Sequence, residues 1–502
     1  MSEKKSASEV AKGLGLTEID TEVAVKFITR DILYTLRRSA KSKAMVAKID
    51  KFYKELYPHG TFTDNGSKIV STLLMGPPGH GKTTSFKVAA KIVCDGLGLR
   101  YLENAALDEV LEKEGFVTEN DFVFVSEETS GLVSAQEFAG LPTTKELQLA
   151  DGTTEKVMGR LFNHRLVALS KAAGGVLLLD DFMNAAPSVQ GLGLSIAEEK
   201  RFGALNLTNA YIGLTGNLGP IDGTYTNKAS KALVNRVKTF FTQDNVNNFV
   251  KRVNTSPMYR DELGDVGICG FLNRYNTYFA SMPDPKMSGG YNTPRSWMDF
   301  MNEARNIISC YGGRQGASAA IPELHLVCSA MLGTEVANHY ITYIRSMMDL
   351  ADPLARSVIM DGKLDKDLLK KKFNEGYSAA EQHFAYQYAL ALADYAALKI
   401  SKEGGELKEA VSRFALGITA LDGSSFNFGI NAFKSKLANQ NEKLSEKNSE
   451  GTRELTERTK LEIGRIVADH PQCSKEQVQG MIDALSNFDK LSPMKGSRSR
   501  RG

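Results

Sequence analysis

A chain of 502 residues exceeds what one ordinary core holds, and at roughly 100 to 200 residues per domain it predicts about two to four domains. Its 42% apolar and 24% charged composition is in the globular range, and no apolar run reaches the roughly 20 residues that span a bilayer, so a soluble protein with no membrane partner is expected. The formal charge of +3 gives no whole-chain electrostatic case for nucleic acid, which would need a local basic stripe instead.

The N-terminal MSEKKSASEV has lysines but no apolar segment behind them. It predicts neither a secretory signal nor an anchor, hence a cytoplasmic protein. The five cysteines, Cys94, Cys269, Cys310, Cys328 and Cys473, form no CxxC pair, and buried free thiols are the expectation. His325, His339 and His383 lie on apolar-rich stretches without metal-ligand spacing, and read as core or surface histidines.

Residues 1–66 read as a helical region, with Val23, Val25, Phe27, Ile28, Ile32, Leu33 and Leu36 on a broad apolar face. From 67 to 250 the texture changes to short β-rich runs, KIVSTLLM, DFVFV, GVLLLD, AYIGLT and VKTFF, alternating with helical segments. That alternation predicts an α/β core with a parallel sheet flanked by helices. Residues 251–435 are predicted to be mainly helical, through AEQHFAYQYALALADYAALKI. Residues 436–502 are a polar, partly flexible tail with a short helix-like piece, SKEQVQGMIDALSNF, and a basic end, GSRSRRG, that reads as a solvated terminus.

Within the α/β segment, IVSTLLM leads into Gly76-Pro77-Pro78-Gly79-His80-Gly81-Lys82-Thr83, followed by Thr84 and the helical SFKVAAKIVC. This is G-x-x-x-x-G-K-[ST] in the required order of strand, loop and helix. The glycines let backbone N–H groups turn inward around phosphate oxygens, where the helix start adds positive potential. Lys82 is expected to reach the β/γ-phosphates of ATP and Thr83 to offer its hydroxyl to Mg²⁺. His80 occupies a variable position and reads as a surface loop residue. Further on, GGVLLLDD ends an apolar strand in Asp180 and Asp181; Asp180 would hold the magnesium shell and Asp181 would accept a hydrogen bond from the attacking water.

The stretch DDFMNAAPSVQGLGLSIAEEKRFGALNLTNAYIGLTGNLGP resembles the pattern of MoxR-like AAA+ ATPases, with SAQEFAGLP upstream and SKALVNRVKTFF and YNTPRSW downstream. The likeness covers about Ile69 to Phe300. It implies an AAA+ fold followed by an enlarged helical lid, with Asn217 as sensor 1, Arg236 as the arginine finger offered to a neighbouring subunit, and Arg295 as sensor 2. Lys238 and Arg201 are the weaker alternatives for the trans-acting charge. It further implies that TTKELQLADGTTEKV, between Leu141 and Arg160, is a hairpin-like insert, and that Phe138 is a packed apolar residue rather than a pore-loop grip. The family usually has Glu where this chain has Asp181, and a base misplaced by about 1 Å costs ~10²-fold in rate.

An arginine finger in trans implies a homo-oligomer, and head-to-tail packing that closes gives a ring; six subunits is what the resemblance implies. The expected function is an ATPase, a ring motor or chaperone that remodels a protein substrate or adaptor, in this family often a partner with a von Willebrand factor A-type domain. A nucleic-acid motor or loader and a weakly hydrolysing, nucleotide-controlled scaffold stay open as alternatives.

Overall fold

Apolar runs that are continuous rather than alternating belong to strands covered on both faces, and the computed structural model puts DFVFV, GVLLLD and AYIGLT in the middle of one sheet. The structure describes residues 7–60, 66–132, 140–148, 152–202, 205–222, 231–259, 263–281, 290–365, 379–403 and 407–418, with 136, 150, 224, 369, 421, 429 and 432–433. These fall into two compact units, one holding residues up to 248 together with 280–296, the other holding 249–279 and the described residues from 297 onward.

The first unit begins with helix α1 (Ala7–Leu14), strand β1 (Thr17–Asp20), and helices α2 (Thr21–Ser39) and α3 (Lys43–Leu56). There follow β2 (Thr72–Met75), α4 (Lys82–Leu97), β3 (Arg100–Glu103), α5 (Asn104–Glu114) and β4 (Asp121–Glu128). A hairpin of β5 (Leu141–Gln148) and β6 (Thr154–Leu161) leads to α6 (His164–Lys171), β7 (Gly174–Asp180) and α7 (Pro187–Glu199). The short β8 (Arg201–Phe202) and β9 (Leu205–Asn206), then β10 (Ala210–Gly216), α8 (Lys231–Val234) and β11 (Lys238–Gln243), complete it.

Seven strands form one parallel sheet in the order β1-β11-β2-β10-β7-β4-β3, so the expected parallel sheet flanked by helices is what the chain builds. All five runs expected as strands are strands. The edge strands TEID and RYLE (β1 and β3) were not expected, because they are short, polar and half-exposed, with no apolar signal. Side chains alternate across the sheet. Leu74, Phe122, Phe124, Val176, Leu178 and Tyr211 pack with Ile28, Ile32 and Leu33 of α2 and Phe86 and Val93 of α4. Leu73, Val123, Val125, Leu177, Leu179 and Ile212 pack on the other face with Leu166 and Leu169 of α6 and Ile196 of α7.

Asp20 caps α2 by accepting from the Val23 N–H at 2.8 Å, which fixes where the apolar stripe of that helix starts. Because the strands are parallel, the carboxyl ends of β2, β4, β7, β10 and β11 lie along one edge of the sheet. There the order reverses around β2, which has β10 on one side and β11 on the other, the kind of crevice where open α/β sheets take ligands.

The expected insert is the antiparallel β5–β6 hairpin, paired from Leu141↔Leu161 to Gln148↔Thr154; Phe138 lies outside the described residues. The second unit is helical in its described residues, with helices Pro294–Cys310 (from Trp297 on), Ile321–Leu332, Thr334–Ser346, Ala379–Glu403 and Leu407–Ile418. The sole tryptophan, Trp297, is fully buried against Phe271 and Tyr340, and its indole N–H donates to the Tyr278 carbonyl at 2.9 Å. His325 contacts Asn338, and His339 lies on Tyr275 and Tyr278; the His383 side chain is outside the described set. Cys94, Cys269 and Cys328 are buried free thiols, whereas Cys310 is exposed, a correction to the expectation for that residue; Cys473 and the whole 436–502 tail are not among the described residues. Among the described residues, no helix is long and apolar enough to cross a membrane.

Candidate nucleotide site

The loop from Gly76 to Gly81 joins the end of β2 to the start of α4. Its first N–H donates to the Gly216 carbonyl at the end of β10, at 3.2 Å. Gly79 and Gly81 have φ of 81° and 79°, left-handed values that an L side chain adopts only at a cost. Gly81 is also the N-cap of α4 and offers no capping side chain. The helix therefore keeps its first N–H groups for an outside acceptor, which is how helix starts bind phosphate.

Lys82, the first residue of α4, is buried and uses all three ammonium hydrogens. It donates to the carbonyls of Gly76 and Pro77 at 2.7 and 2.9 Å and to Asn217 Oδ1 at 2.9 Å. Burial pulls its pKa down to about 8, against the opposing pull of Asp181, Asp222 and Asp180. Asn217, just past β10, uses both ends of its amide, because its Nδ2 donates to Asp181 Oδ1 at 3.1 Å. Thr83 donates to both carboxylate oxygens of Asp180, at 2.9 and 3.0 Å. A hydroxyl and a carboxylate this close are hard oxygen donors of the kind Mg²⁺ prefers, so the residues present fit that ion.

Asp181 has φ of 48°, an uncommon value for a residue other than glycine. Its N–H is tied to Thr215 Oγ1 at 3.0 Å, and Thr215 in turn donates to Asp180. Burial, then the neighbouring Asp180, raises the Asp181 pKa. Thr129, after β4, donates to the Asp180 carbonyl at 2.7 Å, and Asp222 accepts from the Leu218 N–H at 2.7 Å. Thr215, Thr129 and Asp222 were not singled out from the sequence. For Thr215 a signal was present, since it lies near the end of β10, two residues before Asn217 and so in register with it in the alternation of an extended chain.

Arg295 follows Pro294 at the start of its helix, and its N–H donates to the Gly79 carbonyl at 3.2 Å. Thr293 caps that start by accepting from the Ser296 N–H at 3.0 Å. The exposed Arg295 guanidinium is near enough to contribute to the depressed Lys82 pKa. Pro77 and Pro78 complete the loop, and Thr84 is exposed on α4. Arg236 is not brought to the loop of its own chain: its Nε pairs with Glu198 Oε2 of α7 at 2.5 Å, and its Nη1 reaches the Ala232 carbonyl at 3.4 Å. The alternative cation Lys238 is bonded to Asp31, and Arg201 is exposed on β8.

His80 corrects an expectation. It is not a surface residue but 2% exposed, set between the two left-handed glycines, with neither ring nitrogen hydrogen-bonded. Burial, helped by Lys82, pulls its pKa down to about 3, so the ring is neutral across the physiological range.

No family model matches the chain, and no curated protein sequence does. Among solved structures, the chain is similar to the RuvB Holliday junction branch migration motor of Thermotoga maritima, at 14% identity over 71% of this chain and 92% of that one, with a TM-score of 0.26. A point mutant of the same protein matches at 13% identity over 69% and 88%, with a TM-score of 0.26.

Proposed function

We propose that this chain binds ATP with Mg²⁺ and hydrolyses it, as a ring-forming AAA+ motor of the MoxR-like type that remodels a protein partner. One observation carries the nucleotide reading: Asn217 joins Lys82 to Asp181 through the two ends of its amide, while the adjacent Asp180 holds Thr83. Two strand ends and one helix start thus present, close together, a cation for phosphate, an oxygen pair for a metal and a carboxylate for water.

In this reading the loop N–H groups and Lys82 hold the β- and γ-phosphates. Thr83 and Asp180 would hold Mg²⁺, which when bound neutralises the charge shared by those phosphates. Asp181 orients the attacking water, and Asn217 keeps that carboxylate turned toward the γ-phosphate. Arg295 approaches from the cap beside Gly79. The ring of six, the contribution of Arg236 to a neighbouring site, and a protein substrate or adaptor with a von Willebrand factor A-type domain rest on the motif resemblance between Ile69 and Phe300.

Titration of ATP against wild type and Lys82→Ala tests the site. Truncating one partner of a buried, hydrogen-bonded charge pair costs about 2–5 kcal/mol, so affinity should fall by about 30- to 4,000-fold. Unchanged affinity would remove the site assignment.

A further inference from the structure

Of the six residues from Gly76 to Gly81, His80 alone has a polar side chain. The backbone around it is already engaged. The carbonyls of Gly76 and Pro77 accept from Lys82, that of Gly79 accepts from the Arg295 N–H, and that of Gly81 accepts from the N–H and the hydroxyl of Ser85, both at 2.9 Å. The glycines on either side of His80 are packed from two directions. A Cβ on Gly79 would lie 2.7 Å from Thr293 Oγ1 and 3.3 Å from Arg295 Cβ, and one on Gly81 would lie 3.4 Å from Thr21 Cγ2 at the start of α2.

In this enclosure both nitrogens of the His80 ring are shut off from solvent, and neither has a hydrogen-bond partner among the described residues. A neutral imidazole carries one N–H donor and one acceptor, and burying either of them unpaired costs stability. Buried polar groups without a partner are rare in folded proteins, and this one lies two residues before Lys82. The Lys82 charge adds to burial in keeping the ring neutral, so what His80 can offer a ligand is a single N–H rather than a second cation.

We propose that His80 is a ligand contact of the loop, its neutral ring donating that N–H to a phosphate oxygen of the bound nucleotide. The proposal rests on the reading of Gly76–Thr83 as an ATP site. Phosphate oxygens only accept, and the start of α4 with Lys82 already gathers donors for them. A further N–H in the same loop meets an acceptor there, whereas a base would present donors as well. Filling the loop then supplies the partner that the ring lacks in the free protein, so a group that costs the empty protein stability contributes to affinity.

Calorimetric titration of the full-length protein with ATP and with tripolyphosphate, Mg²⁺ being present in both, tests this. His80→Leu, which has no N–H, should weaken both ligands by about tenfold, the loss of one hydrogen bond to a charged group. His80→Asn and His80→Gln each keep an amide N–H within reach of one ring nitrogen's place, and at least one of them should return both affinities to near the wild-type value. Without ligand, His80→Leu should melt no lower than wild type, because two unpaired buried atoms are gone, and ATP should raise its melting temperature by less. A loss confined to ATP would put the ring on the base or sugar, failure of both amides to rescue would reduce it to a matter of shape, and a lower melting temperature for the empty Leu variant would mean that the ring is already bonded; each overturns the proposal. The two readings fail separately. If wild type binds ATP, Lys82→Ala loses it and His80→Leu does not, the site stands and the His80 contact falls; if wild type binds neither ligand, the site falls and takes the contact with it.

Discussion

Asp181 has one methylene fewer than the glutamate that the resemblance leads one to expect, and its left-handed φ of 48° sets the carboxylate by turning the backbone rather than by extending the side chain. Asn217 then holds one of its oxygens at 3.1 Å. If Asp181 orients the attacking water, Asp181→Asn should retain nucleotide and lose about 10²–10⁴-fold in turnover, the usual contribution of a positioned base, while Asp181→Glu keeps or raises the rate. A steady-state phosphate-release assay decides it, and equal turnover in wild type and the Asn variant would remove the role. Lys82, Thr83 and Asp180 could be named from sequence because a glycine-rich loop between strand and helix and an apolar strand ending in aspartate are stereotyped patterns, and Asn217 because of the motif resemblance. Thr129 and Asp222 could not, since a threonine or aspartate after a strand carries no signal until the fold aims it. The burial of His80 was equally illegible: a polar residue in a glycine-rich loop reads as solvated, and only the two left-handed turns beside it bring the ring inside.

At the scale of elements, apolar content decided what could be foreseen. The central strands are covered on both faces and announce themselves, whereas β1 and β3 owe their pairing to backbone hydrogen bonds along Thr17↔Phe240 to Asp20↔Gln243 and Arg100↔Asp121 to Glu103↔Phe124. Strand β7 shows how tightly the inner elements fit. A Cβ on Gly175 would lie 2.1 Å from the Val123 carbonyl oxygen and 2.3 Å from Leu169 Cδ1. Backbone cannot yield there without disturbing the β4–β7 pairing that supports Asp180. Gly175→Ala should therefore destabilise by about 1–3 kcal/mol, the ordinary range for overpacking. Gly191, on α7 with nothing within 4 Å of its would-be Cβ, is the control, and Gly191→Ala should be stabilising by up to about 1 kcal/mol through helix propensity. Urea unfolding of both variants measures the contrast; equal effects would mean that the sheet relaxes around Gly175.

For the whole molecule, the residue that matters is Arg236, whose described contacts lie away from the Gly76–Gly81 loop of its own chain. Arg236 precedes β11 and pairs with Glu198 of α7, both side chains about two-fifths exposed, at 39% and 40%. An exposed pair of this kind contributes at most about 1 kcal/mol, so it holds the guanidinium loosely enough to be given up for a more strongly charged acceptor. In a closed head-to-tail ring that acceptor would be the γ-phosphate bound by the next subunit. Removing such a finger costs ~10³–10⁵ in rate, and Arg236→Ala should bind ATP normally yet hardly hydrolyse it. Loss of turnover alone would also follow from a local distortion, so the decisive measurement mixes Arg236→Ala subunits with Lys82→Ala subunits. If Arg236 acts in trans, neither homogeneous ring would have a complete site. In a mixed ring, a subunit with intact Lys82 can face a neighbour with intact Arg236, and partial recovery of ATPase activity is the expected result. If mixed rings form, as shown by co-purification of two differently tagged variants, and no activity returns, Arg236 acts within its own subunit, and its pairing with Glu198 is the structural role that remains.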